Sequence, residues 1–145
     1  MAGKSDTFEN DLLKLIYNAT AIANIADNAA TAPLTAIWAA LHTSDPGETG
    51  TQGTGEGGYA QYARVSVART TAGFVVTNNS VSPVAAISFP QNTSTSTGTF
   101  THFSVGATSA STGGKILHFG TISPNINFSQ NVTPSLTTGS SITED

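Results

Sequence analysis

Residues 100–122 read FTHFSVGATSASTGGKILHFGTI, and this stretch decides the fold class. Two runs rich in β-branched and aromatic residues, 100–105 and 116–122, flank a polar segment at 108–114 that ends in two glycines. Short runs of this composition, bounded by turn residues, are typical of β-strands. The stretch therefore predicts two strands joined by a turn.

The same pattern continues on both sides of this stretch. Five further short segments are apolar, alternate in polarity or end at turn residues: 34–41, 59–71, 74–77, 84–89 and 126–142. The segment 74–77 is followed by Asn78-Asn79, and this pair is a good signal of a β-hairpin turn. Six to eight short strands at regular spacing, with no helical pattern between them, favour an antiparallel β-sandwich or a jelly-roll-like domain of the all-β class. We expect this sandwich to cover residues 34–142.

One α-helix is predicted at the N-terminus, over residues 7–26. Apolar residues recur at helical spacing through this range, and Asp6 and Glu9 have the spacing of a capping box. Pro33 follows the predicted end, as is typical after a helix. No internal repeat and no second domain is evident, so residues 1–145 are expected to form a single domain.

Charged residues are scarce in this chain. It has 5 Lys and Arg against 9 Asp and Glu, with 10% charged residues and a net charge of −4. Five cations cannot build a surface for a phosphate backbone, so we expect no nucleic-acid partner. No run approaches the ~20 apolar residues that span a bilayer, so we expect no membrane partner. The absence of cysteine excludes disulfides and thiolate chemistry, and the absence of a signal-peptide pattern predicts synthesis in a cytoplasm.

Residues 43–58 (TSDPGETGTQGTGEGG) predict a long loop, because they contain six glycines and almost no apolar residue. Loops of this length are usually functional or mobile. The acids Asp45, Glu48 and Glu56 could gather around calcium, which prefers oxygen ligands. They do not match an EF-hand loop, however, and a Pro-Gly turn with solvated acids is the favoured interpretation. We therefore expect neither a metal nor a cofactor.

Arg64 lies inside a predicted strand, where a charge needs a partner. Glu48 or Glu56 of the preceding loop is within reach, and two interpretations are equally favoured. The ion pair either ties the loop to the sheet or joins two subunits. Tyr59 and Tyr62 complete the set of candidate contact residues, since their rings could stack on a sugar.

The sequence carries no clear catalytic signature. His42, His102 and His118 share no tight spacing, so half-buried strand histidines are favoured over a zinc site. Glu48 and Glu56 could act as the two carboxylates of a glycosidase, but a glycine-rich loop holds no geometry by itself. Nucleophile-elbow, phosphate-loop and Ser/His/Asp patterns are missing. We therefore expect that the protein is not an enzyme.

Short motifs occur in a definite order along the chain. They begin at residues 8–13 (FENDLL), are clearest at 62–65 (YARV), 87–90 (ISFP) and 101–106 (THFSVG), and close with 142–145 (ITED). In this order they resemble a family of small virion proteins of tailed bacteriophages, often labelled tail fibre or hypothetical structural proteins. The resemblance implies a virion component with a compact β-fold, made in the cytoplasm of the host.

The resemblance leaves two virion roles open. The chain lacks the heptads, collagen-like repeats and β-helix periods of a fibre shaft. A small β-domain suits a capsid decoration or cement protein on the head surface, which binds the major capsid protein and stabilises the shell. Self-association as a dimer or trimer is expected, because a lone sandwich must protect its edge strands. The alternative is a small tail or tail-fibre component that contacts the host surface, with a surface glycan as partner.

Overall fold

The computed structural model describes residues 4–22, 25–26, 33–110 and 112–144, with the side chain of Asp6 excepted. The described residues form two units, each assembled from separate segments of the chain. The first unit comprises those within 1–36, 68–86 and 137–145, and the second those within 37–67 and 87–136. The expectation of a single domain stays a prediction.

Most of the regular structure is antiparallel β-sheet, and one α-helix precedes it. In chain order the elements are α1 (Asp6–Asn18), β1 (Ala36–His42), β2 (Val65–Ala68), β3 (Phe74–Thr77), β4 (Ser80–Pro83), β5 (Ile87–Ser88), β6 (Gly98–Gly106), β7 (Ile116–Phe128), β8 (Ser135–Leu136) and β9 (Ile142–Thr143). The sheets have the strand orders β2-β1-β6-β7, β3-β4-β9 and β5-β8. The predicted all-β class with one N-terminal helix is confirmed.

Helix α1 is shorter than the sequence predicts. Its N-cap is Ser5, not Asp6, and the Ser5 hydroxyl accepts a hydrogen bond from the Phe8 amide at 3.4 Å. The helix ends at Asn18 because Ala19 adopts the left-handed conformation, with φ 54°. The prediction of a helix as far as residue 26 is wrong: alanines at helical spacing continue past the end, but their periodicity cannot signal a left-handed C-cap.

Helix α1 packs on the three-stranded sheet of the first unit. The side chain of Tyr17 is buried and meets the Phe74 ring edge-on, with 4.9 Å between ring centroids. Strands β3 and β4 form the hairpin that the sequence predicts at Asn78-Asn79. Asn78 has φ 54°, a left-handed conformation that asparagine tolerates in two-residue hairpin turns.

The second unit has its core between two sheets. Ile87 of β5 and Leu136 of β8 belong to the same buried cluster as Ala39, Leu41 and Phe100 of the four-stranded sheet. Side chains from two sheets thus meet across one hydrophobic layer, as in a sandwich.

Two predicted strands are shorter in the structure. The alternating segment 59–71 is a strand only at Val65–Ala68, and the segment 84–89 only at Ile87–Ser88. The Tyr62 amide donates to the Tyr59 carbonyl at 3.1 Å, so the chain turns at this point. Because of this turn, both tyrosines point towards the core. The alternation of polar and apolar residues, in contrast, predicts that they lie in a strand.

Arg69 caps the C-terminal end of α1. Its Nε donates to the Ile16 carbonyl at 2.6 Å, and its two Nη atoms donate to the carbonyls of Leu15 and Leu34. The last turn of the helix contains no basic residue of its own. Arg69 therefore satisfies carbonyls that the helix leaves unpaired and places a positive charge at the negative end of its dipole.

We expect Arg69→Met to lower the free energy of unfolding by about 2 kcal/mol, because hydrogen bonds from a charged donor are lost. Arg69→Lys should fall between Met and wild type, since it keeps the charge but not the three-point geometry. Urea denaturation measures both variants. Lys115→Met, at an exposed cation of the second unit, is the control. An Arg69→Met loss no larger than that of the control would contradict the capping role.

Candidate functional site

The glycine-rich loop of residues 43–58 is anchored at both ends by backbone hydrogen bonds. The Thr43 amide donates to the Gly55 carbonyl at 2.9 Å, and the Gly57 amide donates to the Leu41 carbonyl at 3.1 Å. The returning end of the loop thus pairs with the end of β1, and His42 and Glu56 form an isolated antiparallel bridge. A segment that composition alone marks as flexible is held in place by its neighbours.

The central contact of this region is a buried ion pair between Arg64 and Glu56. Their side chains are only 1% and 6% exposed. Arg64 Nε donates to Oε1 and Arg64 Nη2 donates to Oε2 of the same carboxylate, both at 2.7 Å. This parallel two-bond geometry is the strongest form of an arginine–carboxylate contact.

The remaining donors of Arg64 connect two further segments of the chain. Nη1 donates to the Thr108 carbonyl at 3.1 Å and to Gln52 Oε1 at 3.3 Å, and Nη2 donates to the Gly113 carbonyl at 2.9 Å. A guanidinium has five N–H donors, and all five have a partner here. One side chain therefore joins the glycine-rich loop to the β6–β7 connection, and none of its donors is left unpaired.

A second group of buried polar side chains extends this network along β1 and β6. His42, Gln52 and Ser104 are completely buried. Gln52 Nε2 donates to the Trp38 carbonyl at 3.0 Å and lies 3.4 Å from Ser104 Oγ, while His42 Nε2 lies 2.8 Å from the same Oγ. We call the set Arg64, Glu56, Gln52, His42 and Ser104 the loop-anchoring network.

The hydrogen bonds of His42 fix its tautomer. Nδ1 lies 2.9 Å from the Thr54 carbonyl, which can only accept, so Nδ1 carries the proton. Nε2 then accepts from the Ser104 hydroxyl. Burial is the main reason that the pKa of His42 is lowered from its ordinary value, so the ring is neutral near pH 7.

The His42–Ser104 contact has the spacing of a base and a nucleophile. In this structure both side chains are fully buried, so a substrate has no path to the Ser104 hydroxyl. The hydroxyl also lies within reach of the Gln52 amide. What the arrangement does in this structure is hold the loop against the sheet.

The candidate contact residues are divided between the surface and the core. Asp45 and Glu48 are exposed, and Asp45 Oδ1 accepts from the Gly47 amide at 2.9 Å in a local turn. Contact of these two acids with a partner stays a prediction. Among the residues that the structure describes, no group of three His, Asp or Glu could hold a metal ion.

Tyr59 and Tyr62 lie in the aromatic cluster of the second unit. The Tyr59 hydroxyl donates to the Pro90 carbonyl at 2.6 Å, and the Tyr62 ring stacks on Phe89 with 5.9 Å between centroids. The Tyr62 hydroxyl accepts from the Leu41 amide at 2.7 Å, and burial is the main reason that its pKa is raised well above the ordinary value. Tyr59 is buried and Tyr62 is half-buried, and stacking of either ring on a sugar stays a prediction.

Sequence reasoning missed Gln52 and Ser104. Each is an ordinary polar residue in a chain that is rich in them, and nothing in its neighbourhood signals burial. Gly106 carries an indirect signal, because a Cβ atom built there would overlap the Gln52 side chain and lie 2.6 Å from the Lys115 carbonyl. A glycine at the end of a strand marks a close approach but does not say which group approaches.

Comparison with protein families gives a match along most of the chain. Residues 3–143 match the family described as Gp80, podophage GP4 fiber I protein gp80. The chain therefore belongs to this family and is a structural protein of a phage virion. The resemblance to small tailed-phage virion proteins is thereby confirmed, and no curated protein matches the chain. None of the helices among the described residues is long and apolar enough to span a membrane.

We expect Arg64→Met to destabilise the protein by about 3–5 kcal/mol, because it leaves the Glu56 carboxylate buried without its partner. Glu56→Met should cost a similar amount, and the double variant should cost much less than the sum of the two. Urea denaturation measures the three free energies, and Lys115→Met is the control. Additive losses would contradict a coupled buried pair.

The lowered pKa of His42 predicts a loss of stability in mild acid. Because the folded-state value lies below the unfolded value of about 6.5, the unfolded chain binds the proton first as the pH falls. The contribution of neutral His42 is therefore complete above pH ~6.5 and decreases below it, by at most about 1.4 kcal/mol per pH unit.

Urea denaturation at a series of pH values tests this dependence. His42→Asn keeps an amide donor near the Thr54 carbonyl but cannot titrate, so the slope below pH ~6.5 should become shallower, whatever its absolute stability. His118→Asn, outside the loop-anchoring network, is the matched control and should keep the wild-type contribution of His42. An unchanged slope in His42→Asn would show that other groups cause the acid sensitivity.

Proposed function

We propose that this chain is a component of the fibres at the phage tail and contacts the host surface there. The observation that carries the proposal is the family match over residues 3–143, since that family is described as a fibre protein. The name favours the tail over the head surface that the sequence analysis preferred. Capsid decoration, with the major capsid protein as partner, is the competing outcome of the test below.

The geometry supports a part that binds as a preformed body. Because the loop-anchoring network already orders residues 43–58, a partner that meets Asp45 or Glu48 would not have to order the loop itself. Preorganisation of this kind lowers the entropic cost of association. In this proposal the chain acts by association and not by catalysis.

Exposed apolar side chains also support association. Among the described residues, the large hydrophobic side chains that remain exposed all belong to the first unit: Phe8, Ile25, Leu34, Val75 and Val84. Scattered exposed apolar residues are normal on a surface, but their concentration in one unit gives that unit more apolar area to bury against a partner. We propose self-association or a neighbouring virion protein as that partner, with no role for nucleic acid or membrane.

Copy number and position on purified virions test the proposed role. We expect quantitative mass spectrometry to give a handful of copies per particle, and gold-labelled antibodies against the chain to mark the tail in electron micrographs. The major capsid protein provides the internal standard for the count. A count in simple ratio to the capsid protein, with label over the head, would replace the fibre role by capsid decoration.

A further inference from the structure

The first unit contains a polar cleft that none of the roles above uses. It has a volume of about 800 Å³, which falls within the usual range for small-molecule sites. One wall is a single face of α1 and the other is the turn between β3 and β4. We call it the helix–hairpin cleft, and its lining residues are Thr7, Asn10, Lys14, Val76, Asn78 and Asn79.

Two of the amides in this cleft are held in place by hydrogen bonds to backbone. Asn10 Nδ2 donates to the Asn78 carbonyl at 2.5 Å, and Asn79 Nδ2 donates to the Glu144 carbonyl at 2.8 Å. Each amide thereby keeps an Oδ1 acceptor that has no partner within the described residues. The side chains of Thr7 and Asn78 likewise make no hydrogen bond there. The cleft thus offers two amide groups that are held in place, and the polar side chains of Thr7 and Asn78 beside them.

Lys14 supplies the only charge among the described side chains that line the cleft. Its ammonium forms no ion pair or hydrogen bond with the described residues, and no carboxylate occurs among the lining side chains that the structure describes. Three of the other cations have partners. Arg64 is paired with Glu56, Lys4 is paired with Glu144, and Arg69 caps α1. In an acidic protein, an uncompensated lysine among neutral amides gives this cleft a local preference for an anion.

We propose that the helix–hairpin cleft binds a sugar ring that carries one anionic group. The amides and the Thr7 hydroxyl suit the hydroxyls of a sugar ring. A ring hydroxyl both donates and accepts, and these side chains together offer donors and acceptors. Lys14 binds the carboxylate or phosphate by a charge-assisted hydrogen bond, and Val76 provides a small apolar surface for ring C–H groups. The choice of a sugar as ligand rests on the proposed fibre role, because a fibre at the tail meets the saccharides of the host surface.

NMR titration of the ¹⁵N-labelled full chain tests this site, and the probes are glucuronate, glucose bearing a phosphate on its primary hydroxyl, and glucose. We expect the two acidic sugars to shift the amide signals of Thr7, Asn10, Lys14, Asn78 and Asn79, and glucose to bind at least tenfold more weakly. Stronger binding of glucuronate would indicate a uronic-acid polysaccharide as the source of the ligand. Stronger binding of the phosphorylated sugar would indicate a phosphorylated lipopolysaccharide core.

Acetate and inorganic phosphate are titrated alongside as controls. Equal shifts with these simple anions would overturn the proposal, because the cleft would then bind an adventitious ion only.

Matched variants assign the binding to the cleft. Lys14→Gln should weaken binding of the acidic sugars about tenfold or more, because a hydrogen bond to a charged group is lost. Lys115→Gln removes the same charge in the second unit and should bind as wild type does. Thr7→Val, which keeps the side-chain shape, provides a second test at an exposed position and should weaken binding less than Lys14→Gln.

Unchanged affinity in Lys14→Gln, or equal losses in Lys14→Gln and Lys115→Gln, would overturn the proposal. So would the absence of any shift with the acidic sugars at saturating concentration. None of these results bears on the copy number or position of the chain in the virion. A fibre role and a sugar site in this cleft can therefore fail independently.

Discussion

The buried charge of Arg64 is the constraint on which the second unit depends. A guanidinium that is 1% exposed must have a counter-charge and a partner for each donor, since the alternative costs several kcal/mol. Glu56 supplies the counter-charge, and Gln52, Thr108 and Gly113 accept the remaining hydrogen bonds. These groups come from the glycine-rich loop and from the β6–β7 connection, two stretches without regular structure. Satisfying one side chain thus determines where both stretches lie.

This constraint explains why a glycine-rich loop is ordered. Glycine raises the conformational entropy that a loop loses on folding, so residues 43–58 require strong anchors. The network provides them at Gln52, through His42 at the Thr54 carbonyl, and at Glu56. Glycine also allows the close approach of backbone to side chain, as at Gly106 beside Gln52. The same composition that predicts flexibility is therefore what lets the loop pack tightly.

The limits of prediction from sequence follow from the range of the interactions involved. The all-β class, the N-terminal helix and the hairpin at Asn78-Asn79 depend on local periodicity and turn chemistry, and each is confirmed. The end of α1 and the path of residues 59–64 depend on contacts with distant segments, and there the predictions were wrong. That an ion pair of Arg64 with Glu48 or Glu56 ties the loop to the sheet was one of two open interpretations, the other being an ion pair between subunits. The buried roles of Gln52 and Ser104 had no local signal. Burial of an uncharged polar side chain is a property of the fold around it.

The two units differ in what they leave available to a ligand. In the second unit, the buried polar side chains form hydrogen bonds within the fold. The two tyrosines that were considered for sugar stacking pack in or against the core. In the first unit, Lys14 and the cleft amides keep hydrogen-bonding capacity, and the exposed large hydrophobic side chains of the described residues are found there too. Polar groups that are saturated internally stabilise a fold but recognise nothing. Apart from the exposed acids Asp45 and Glu48 of the second unit, the described groups that remain available for recognition therefore lie mainly in the first unit.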